Sequence, residues 1–163
     1  MHPGLSIIAS FALTFSKTKV HMSAIIQTSI DLNVSVQTAY QQWTRFGEFP
    51  RFMEGVKEVY QHDDRHLHWT TEIPGYEKEW NAEITDQTPN ERIAWRSRAS
   101  PITDAIVTFY PDLDDTSTVQ LQIAFNSLCA IDNGKDELEA VSLRVARDLQ
   151  QFKVFIESQC QEN

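Results

Sequence analysis

The sequence feature that most constrains the fold is an uninterrupted amphipathic stretch from Lys135 to Ser158. Its apolar residues recur every three or four positions, which places them along one side of an α-helix. They are Leu138, Val141, Val145, Leu149, Phe152 and Ile156. At 1.5 Å per residue such a helix is about 35 Å long. Because an isolated helix cannot hide so wide an apolar side, the rest of the chain must supply a layer that covers it.

That second layer is predicted to be a sheet, because apolar and polar residues alternate with period two in seven segments. The segments are Ala24 to Val34, Val56 to Gln61, Leu67 to Ile73, Tyr76 to Ile84, Ile93 to Ser97, Thr103 to Phe109 and Val119 to Phe125. Short turns separate most of them, so we expect antiparallel neighbours. Two short helices are predicted after the first segment, one that begins at Ser35 and one around Pro50 to Glu54.

These elements predict an α+β fold, in which a curled seven-stranded antiparallel sheet wraps around one long C-terminal helix. A space between two such layers is a natural ligand pocket. Residues 1–22 fit this scheme poorly, since their apolar core from Leu5 to Phe15 is too short to span a bilayer and no basic residue precedes it. We expect a disordered or over-predicted extension with Met22 as the natural start, the alternative being a leader peptide. Residues 23–163 then form a single domain.

The negative net charge of the chain limits the classes of molecule that it can bind. The net charge is −9 and the pI about 4.9, which argues against nucleic-acid binding and weakens any case for docking on anionic lipid. No stable membrane insertion is expected. The two cysteines, Cys129 and Cys160, form no metal or redox motif, so we interpret them as free thiols of a cytoplasmic protein. A monomer and a homodimer both remain open.

Several short motifs resemble those of polyketide cyclase/dehydrase-like proteins in the START-like (helix-grip, SRPBCC) superfamily. They are WTRFGEFPRFMEGVKEV, the Trp80 to Ile84 strand, PNERIAW, the Val107 to Phe109 strand and DLQQFKVFIE. The resemblance covers about Ile25 to Glu157. It implies the element order given above and a cavity of the kind that holds lipids, quinones, polyketides or hormones, and some members are thought to cyclise or dehydrate polyketide chains.

No catalytic motif accompanies this resemblance, so the catalytic residues are unknown and no cofactor is predicted. The first hypothesis is binding, and transport or modification, of a hydrophobic small molecule such as a lipid, quinone or polyketide-like compound. The second is a polyketide cyclase or dehydratase, which holds its substrate in one folded shape. The third is a protein-interaction module with a vestigial cavity.

The candidate ligand-binding residues are those that the pattern directs between the two layers. They are Phe52, Met53, Trp69, Tyr76, Lys78, Trp80, Trp95, Phe109, Leu149 and Phe152. The alternative for the apolar members is ordinary core packing. The alternative for Lys78 is that it lies near the Pro74-Gly75 turn and extends its ammonium group into water.

A histidine-rich hairpin is a candidate metal site. His66 and His68 share one side of a strand and His62 lies across the turn. However, Leu67 and Trp69 occupy the inward positions of the same strand, so we expect the histidine side chains on its solvent-exposed side. We predict no metal.

Overall fold

The computed structural model describes residues 6–15, 20–73, 76–98, 102–128 and 131–161. Its elements follow in chain order: β1 Ser6–Phe15, β2 Val20–Leu32, α1 Val36–Trp43, a 3-10 helix Phe46–Arg51, β3 Val56–Gln61, β4 His66–Ile73, β5 Tyr76–Thr88, β6 Arg92–Ser97, β7 Ile102–Pro111, a 3-10 turn Leu113–Asp115, β8 Ser117–Leu128 and α2 Ile131–Gln161. The seven predicted strands and the long helix are all present, so the predicted helix-grip fold is confirmed. The helix α2 is about one turn longer at each end than predicted.

All strands form one antiparallel sheet in the order β1-β2-β8-β7-β6-β5-β4-β3. Consecutive strands are neighbours from β3 to β8, because short connections favour hairpins. The chain then closes by pairing β8 with β2, from His21 opposite Leu128 to Leu32 opposite Ser117. The sheet therefore places the first and the last strand of the predicted domain side by side.

The structure contains an eighth strand, Ser6–Phe15, within residues 1–22, the segment that the sequence pattern places outside the fold. Ser6–Phe15 pairs with β2 over its whole length, from Ser6 opposite Ser29 to Phe15 opposite Val20. The residues were expected to lie outside the fold because their apolar run matched neither a leader nor a membrane span. A strand at the edge of a sheet needs only a neighbour with free backbone groups, and β2 offers them. Whether Met22 is the natural start stays a prediction.

The helix α2 packs closest to β2 and also approaches β1 and β8. Its predicted apolar side is confirmed, since Leu138, Val145, Leu149, Phe152 and Ile156 are buried and Val141 packs against them. They meet the inward residues of β2 and β8, which are mostly aliphatic. Ala24, Ile26, Ile30, Val119 and Ile123 are among these buried strand residues.

The two short helices close the other side of the core. Ser35 caps α1 as predicted, because its Oγ accepts a hydrogen bond from the Thr38 N–H at 3.2 Å. The second helix was placed at Pro50 to Glu54, but the structure forms a 3-10 helix earlier, at Phe46–Arg51. A 3-10 helix has three residues per turn, so Phe46 and Phe49 lie along one side. Phe52 follows directly after the helix, and all three phenylalanines are buried.

Candidate ligand-binding site

Three tryptophans lie together on the inner side of β4, β5 and β6. Trp69 and Trp80 are opposite each other in the β4–β5 register. Their rings stack at 6.3 Å and 14°, and the ring of Trp95 stacks on Trp69 at 6.0 Å and 27°. We call Trp69, Trp80 and Trp95 the indole row. Trp69 and Trp95 are buried, whereas Trp80 is half-buried, so the row reaches from the core towards the surface.

The indole row continues into a larger aromatic cluster through the 3-10 helix. Phe49 contacts Trp69 with ring centroids 5.5 Å apart, and also contacts Trp43 and Phe52. Phe152 of α2 completes the path, 4.8 Å from Trp43 and 5.1 Å from Phe52. We use aromatic cluster for the indole row together with Trp43, Phe49, Phe52 and Phe152. It links the sheet, the 3-10 helix and α2 through edge-to-face and stacked contacts.

Two buried hydrogen-bond donors within this cluster have no partner in the described part of the chain. Among the described residues, the indole Nε1–H groups of Trp43 and Trp69 find no acceptor, and the buried Thr28 hydroxyl on β2 is also unpaired. Leaving such a group unpaired costs about 1–3 kcal/mol. A bound molecule with an acceptor oxygen would offset that cost at either indole. The interior therefore combines ring surfaces for stacking with polar atoms for orientation.

The structure brings together most of the predicted site residues. Phe52, Trp69, Trp80, Trp95 and Phe152 belong to the aromatic cluster, and Leu149 is buried on α2 one turn before Phe152. Met53 is buried directly after Phe52. Their roles in ligand binding stay predictions.

The other predicted residues lie apart from the aromatic cluster or beside it. Phe109 on β7 contacts Tyr40 of α1 edge-to-face at 5.5 Å. Lys78 pairs with Thr71 in the β4–β5 register, and the Thr71 hydroxyl donates to the Lys78 carbonyl at 3.1 Å. The Lys78 side chain is half-buried, two residues from Trp80. The side chain of Tyr76 lies outside the described residues, as does the Pro74-Gly75 turn.

The predicted site residues include neither Phe49 nor Trp43. Both are fully buried inside the aromatic cluster. The available signal was the spacing of Phe46, Phe49 and Phe52, which fits the three-residue turn of a 3-10 helix. The 3.6-residue template of an α-helix does not detect that spacing.

A polar group of side chains joins the end of the 3-10 segment to α2. The Glu54 N–H donates to Asp148 Oδ1 at 3.4 Å, and Arg147 Nη1 lies 3.3 Å from Glu54 Oε2. A Cβ on Gly55 would overlap the Arg144 guanidinium, so glycine permits this close approach. Burial raises the pKa of Asp148 to about 6, and the Glu54 carboxylate adds to the rise while Arg144 and Arg147 oppose it. We call Glu54, Arg144, Arg147 and Asp148 the polar clamp.

The histidine-rich hairpin lies on the exposed side of β4 and β5. His66 Nδ1 lies 2.8 Å from Asp63 Oδ1. His68 is held by Asn81 Oδ1 at 2.8 Å and Glu79 Oε1 at 3.1 Å, and these hydrogen bonds raise the pKa of His68. Within the described part of the chain, no three His, Cys, Asp or Glu side chains converge as metal ligands. A surface depression at the β7–β8 connection, lined by Pro111, Asp112, Leu113 and Thr116, includes no residue of the aromatic cluster.

The comparisons with known proteins agree with this architecture. Residues 32–152 match the family described as polyketide cyclase / dehydrase and lipid transport. The chain belongs to this family. A relative from Streptomyces lincolnensis, named as an uncharacterised 17.2 kDa protein, is 41% identical over 138 residues, which is 84% of this chain and 92% of the relative.

Solved structures share the fold of this polyketide cyclase/dehydrase family member. The Zhui aromatase/cyclase from Streptomyces sp. R1128 superposes with a TM-score of 0.72 at 13% identity, covering 85% of this chain and 96% of that protein. A START superfamily protein from Mycobacterium smegmatis gives 0.59 at 13% identity, covering 78% and 97%. At such identities the likeness establishes the fold alone. In the described segments of the family member, no helix combines the length and apolar character needed to cross a membrane.

Proposed function

We propose that this protein binds a hydrophobic small molecule between the sheet and the helices that cover it, against the indole row. The carrying observation is Trp69, which is buried, stacks on two other indoles and has an Nε1–H for which the described residues supply no acceptor. Stacked indoles suit a flat ring system, and the unpaired donor suits a carbonyl or hydroxyl oxygen. This favours a quinone or a polyketide-like aromatic compound over a plain acyl chain.

The expected affinity follows from the apolar area that such a ligand would bury. Removing some 300 Å² of ligand surface from water is worth roughly 7.5 kcal/mol at about 25 cal/mol per Å². Losses of ligand and side-chain freedom oppose this, and hydrogen bonds to Trp69 or Trp43 offset part of the loss. We therefore expect a net binding free energy below about 7.5 kcal/mol, which corresponds to a dissociation constant in the micromolar range.

Family membership supports a ligand-binding interior, since the family description names both lipid transport and cyclase or dehydrase activity. The aromatase/cyclase from Streptomyces sp. R1128 has the same fold. Binding is the part that both activities have in common. A cytoplasmic location, inferred from the two cysteines, remains part of this proposal.

The test is a titration of the full chain with naphthoquinone, followed by quenching of tryptophan fluorescence, with naphthalene as the matched ligand without oxygens. Trp69→Phe keeps a ring but removes the donor, so naphthoquinone should bind up to about tenfold more weakly while naphthalene changes little. Native mass spectrometry of the purified protein would identify what it carries. If a panel of apolar ligands gives no saturable signal with folded protein, the binding proposal fails and the interaction-module alternative is favoured.

A cyclase or dehydratase is the second candidate, because the family description names these reactions. Such a reaction needs a group that moves a proton, and Lys78 is the half-buried amine nearest along β5 to Trp80. Lys78→Met should leave ligand affinity within about twofold and abolish turnover if Lys78 serves an enzyme. Product formation that survives Lys78→Met would exclude this role for the lysine.

A further inference from the structure

The sheet has two edges, β1 and β3, and they differ in how they resist pairing with another strand. The edge strand β3 has six residues, and its register with β4 shifts between Val56 and Glu58. Lys57 and Glu58 are exposed on it. A short length, an irregular register and charged side chains are the usual features that block edge pairing.

The edge strand β1 has none of these features. Its ten residues, SIIASFALTF, include no charged residue, no proline and no glycine. Its register with β2 runs without a shift from Ser6 opposite Ser29 to Phe15 opposite Val20. An edge strand directs about half of its backbone N–H and C=O groups away from its one neighbour. A long, regular and uncharged edge of this kind is a template for a further strand.

The charge distribution indicates which strand can reach it. All 23 acidic residues of the chain lie after residue 30, and the first thirty residues have Lys17 and Lys19 as their charged side chains. Two copies of a chain with net charge −9 repel each other over most of their surface. That repulsion is weakest where β1 meets β1, because neither strand has a carboxylate.

From these observations we propose that β1 pairs antiparallel with β1 of a second copy across a two-fold axis. The two eight-stranded sheets then form one continuous sheet. Full overlap of the ten-residue strands places the axis near Ser10 and Phe11. The contact is isologous, so the backbone groups at both β1 edges are paired in the same contact and the assembly stops at a dimer. The remaining free edges of the dimer are the two charged β3 strands, which do not extend it into a filament.

A second copy fits this edge better than an unrelated strand does. The β1 strand of a second copy has the same length, no charged side chain and a matching row of backbone groups. It is always present at the concentration of the protein itself. The contact is small, because it is made chiefly by one strand from each copy. We therefore expect a dimer that dissociates on dilution in the micromolar range.

The experiment measures the mass of the full chain by sedimentation equilibrium between about 1 and 100 µM. We expect a shift from the 18.8 kDa monomer towards twice that mass. Ser10→Lys and Ala9→Lys place a charge beside the axis on opposite sides of the strand, and each should weaken association at least tenfold. Tyr60→Lys on β3 is the control and should leave association unchanged.

Three results would overturn the proposal: a monomer at all concentrations, a dimer that both β1 variants retain, or a dimer that Tyr60→Lys disrupts equally. Circular dichroism establishes that each variant is folded. If neither β1 variant folds, hydrogen exchange of the unmodified chain decides. Its β1 amides should exchange more slowly at 100 µM than at 1 µM, and equal rates would exclude pairing through β1. Binding of a foreign peptide strand to a monomer would likewise contradict a second copy as the occupant.

Discussion

The inner side of the sheet has two halves that differ in composition and in cover. On β2 and β8 it is largely aliphatic, and α2 lies directly over it with Leu149 and Phe152 buried. On β4 to β6 it bears the indole row, which contacts the 3-10 helix through Phe49. Within the described residues, each half contains a buried polar group without a hydrogen-bond partner, the Thr28 hydroxyl in the first half and the Trp69 Nε1–H in the second. The difference suggests that the aliphatic half mainly stabilises the fold and the aromatic half mainly binds a ligand.

The largest effect is expected from Leu149→Ala in the aliphatic half. Leu149 is 1% exposed, so the substitution leaves a cavity under α2 and should lower the free energy of unfolding by roughly 2–5 kcal/mol. Leu143→Ala is the matched control, because Leu143 is 56% exposed on the same helix. It should change stability by less than about 0.5 kcal/mol. Urea denaturation measures the free energy of unfolding, and an equal decrease in the two variants would contradict the assigned orientation of α2.

The buried side of α2, which makes Leu149→Ala costly, also explains why the fold could be predicted from the sequence. The spacing of Leu138, Val145, Leu149 and Ile156 defines one buried side of a helix, and a periodic pattern over about five turns leaves few alternatives. The period-two strands were equally clear. The strand β1 was not predicted because apolar and polar residues do not alternate strictly along it. Its pairing with β2 is a tertiary contact that no local pattern shows.

A smaller effect is expected at the polar clamp, where α2 meets the segment that follows the aromatic 3-10 helix. The folded pKa of Asp148 is about 6, above its ordinary value of 3.8, so the folded state holds the proton more tightly. The stability contributed by the protonated side chain is complete below about pH 3.8 and is lost as the pH rises through 6. Asp148→Asn should avoid that loss and gain roughly 1–2 kcal/mol at pH 7.5 relative to the unmodified chain.

The measurement is the free energy of unfolding of both proteins at pH 4.5, 6 and 7.5. The difference between them should grow with pH across this window, because asparagine stays neutral and its Oδ1 can still accept the Glu54 N–H. Asp115→Asn, in the exposed β7–β8 turn, is the control and should show no such growth. A constant difference at all three pH values would refute the raised pKa of Asp148.

The aromatic half should respond in affinity more than in stability. Trp80 is half-buried, so Trp80→Ala should weaken naphthoquinone binding about tenfold, near 1.4 kcal/mol, and cost less stability than Leu149→Ala. Trp95→Ala should likewise alter affinity more than Trp43→Ala does. Fluorescence titration and urea denaturation of the same samples separate the two effects. If Trp80→Ala lowers stability but leaves affinity unchanged, the indole row stabilises the fold and does not bind the ligand.

The candidate site was less predictable than the fold, for reasons that particular residues illustrate. Strand alternation identified Trp69, Trp80 and Trp95 as inward residues, and the register then brought them into one row. The contacts of Phe49 depend on where a short 3-10 helix docks, which no local pattern specifies. Trp43 is buried 4.8 Å from Phe152, although its sequence position is distant from α2.

The smallest effect is expected from Glu54→Gln at the outer part of the polar clamp. Glu54 and Arg147 form an ion pair at 3.3 Å, but both side chains are about two-thirds exposed, so solvent screens their attraction. The change in stability at neutral pH should stay below about 0.5 kcal/mol. Removing the Glu54 charge also removes one cause of the raised Asp148 pKa, so the gain from Asp148→Asn should shrink in the Glu54→Gln background. A double-mutant cycle at pH 7.5 measures this coupling, and full additivity would mean that the two carboxylates of Glu54 and Asp148 do not interact.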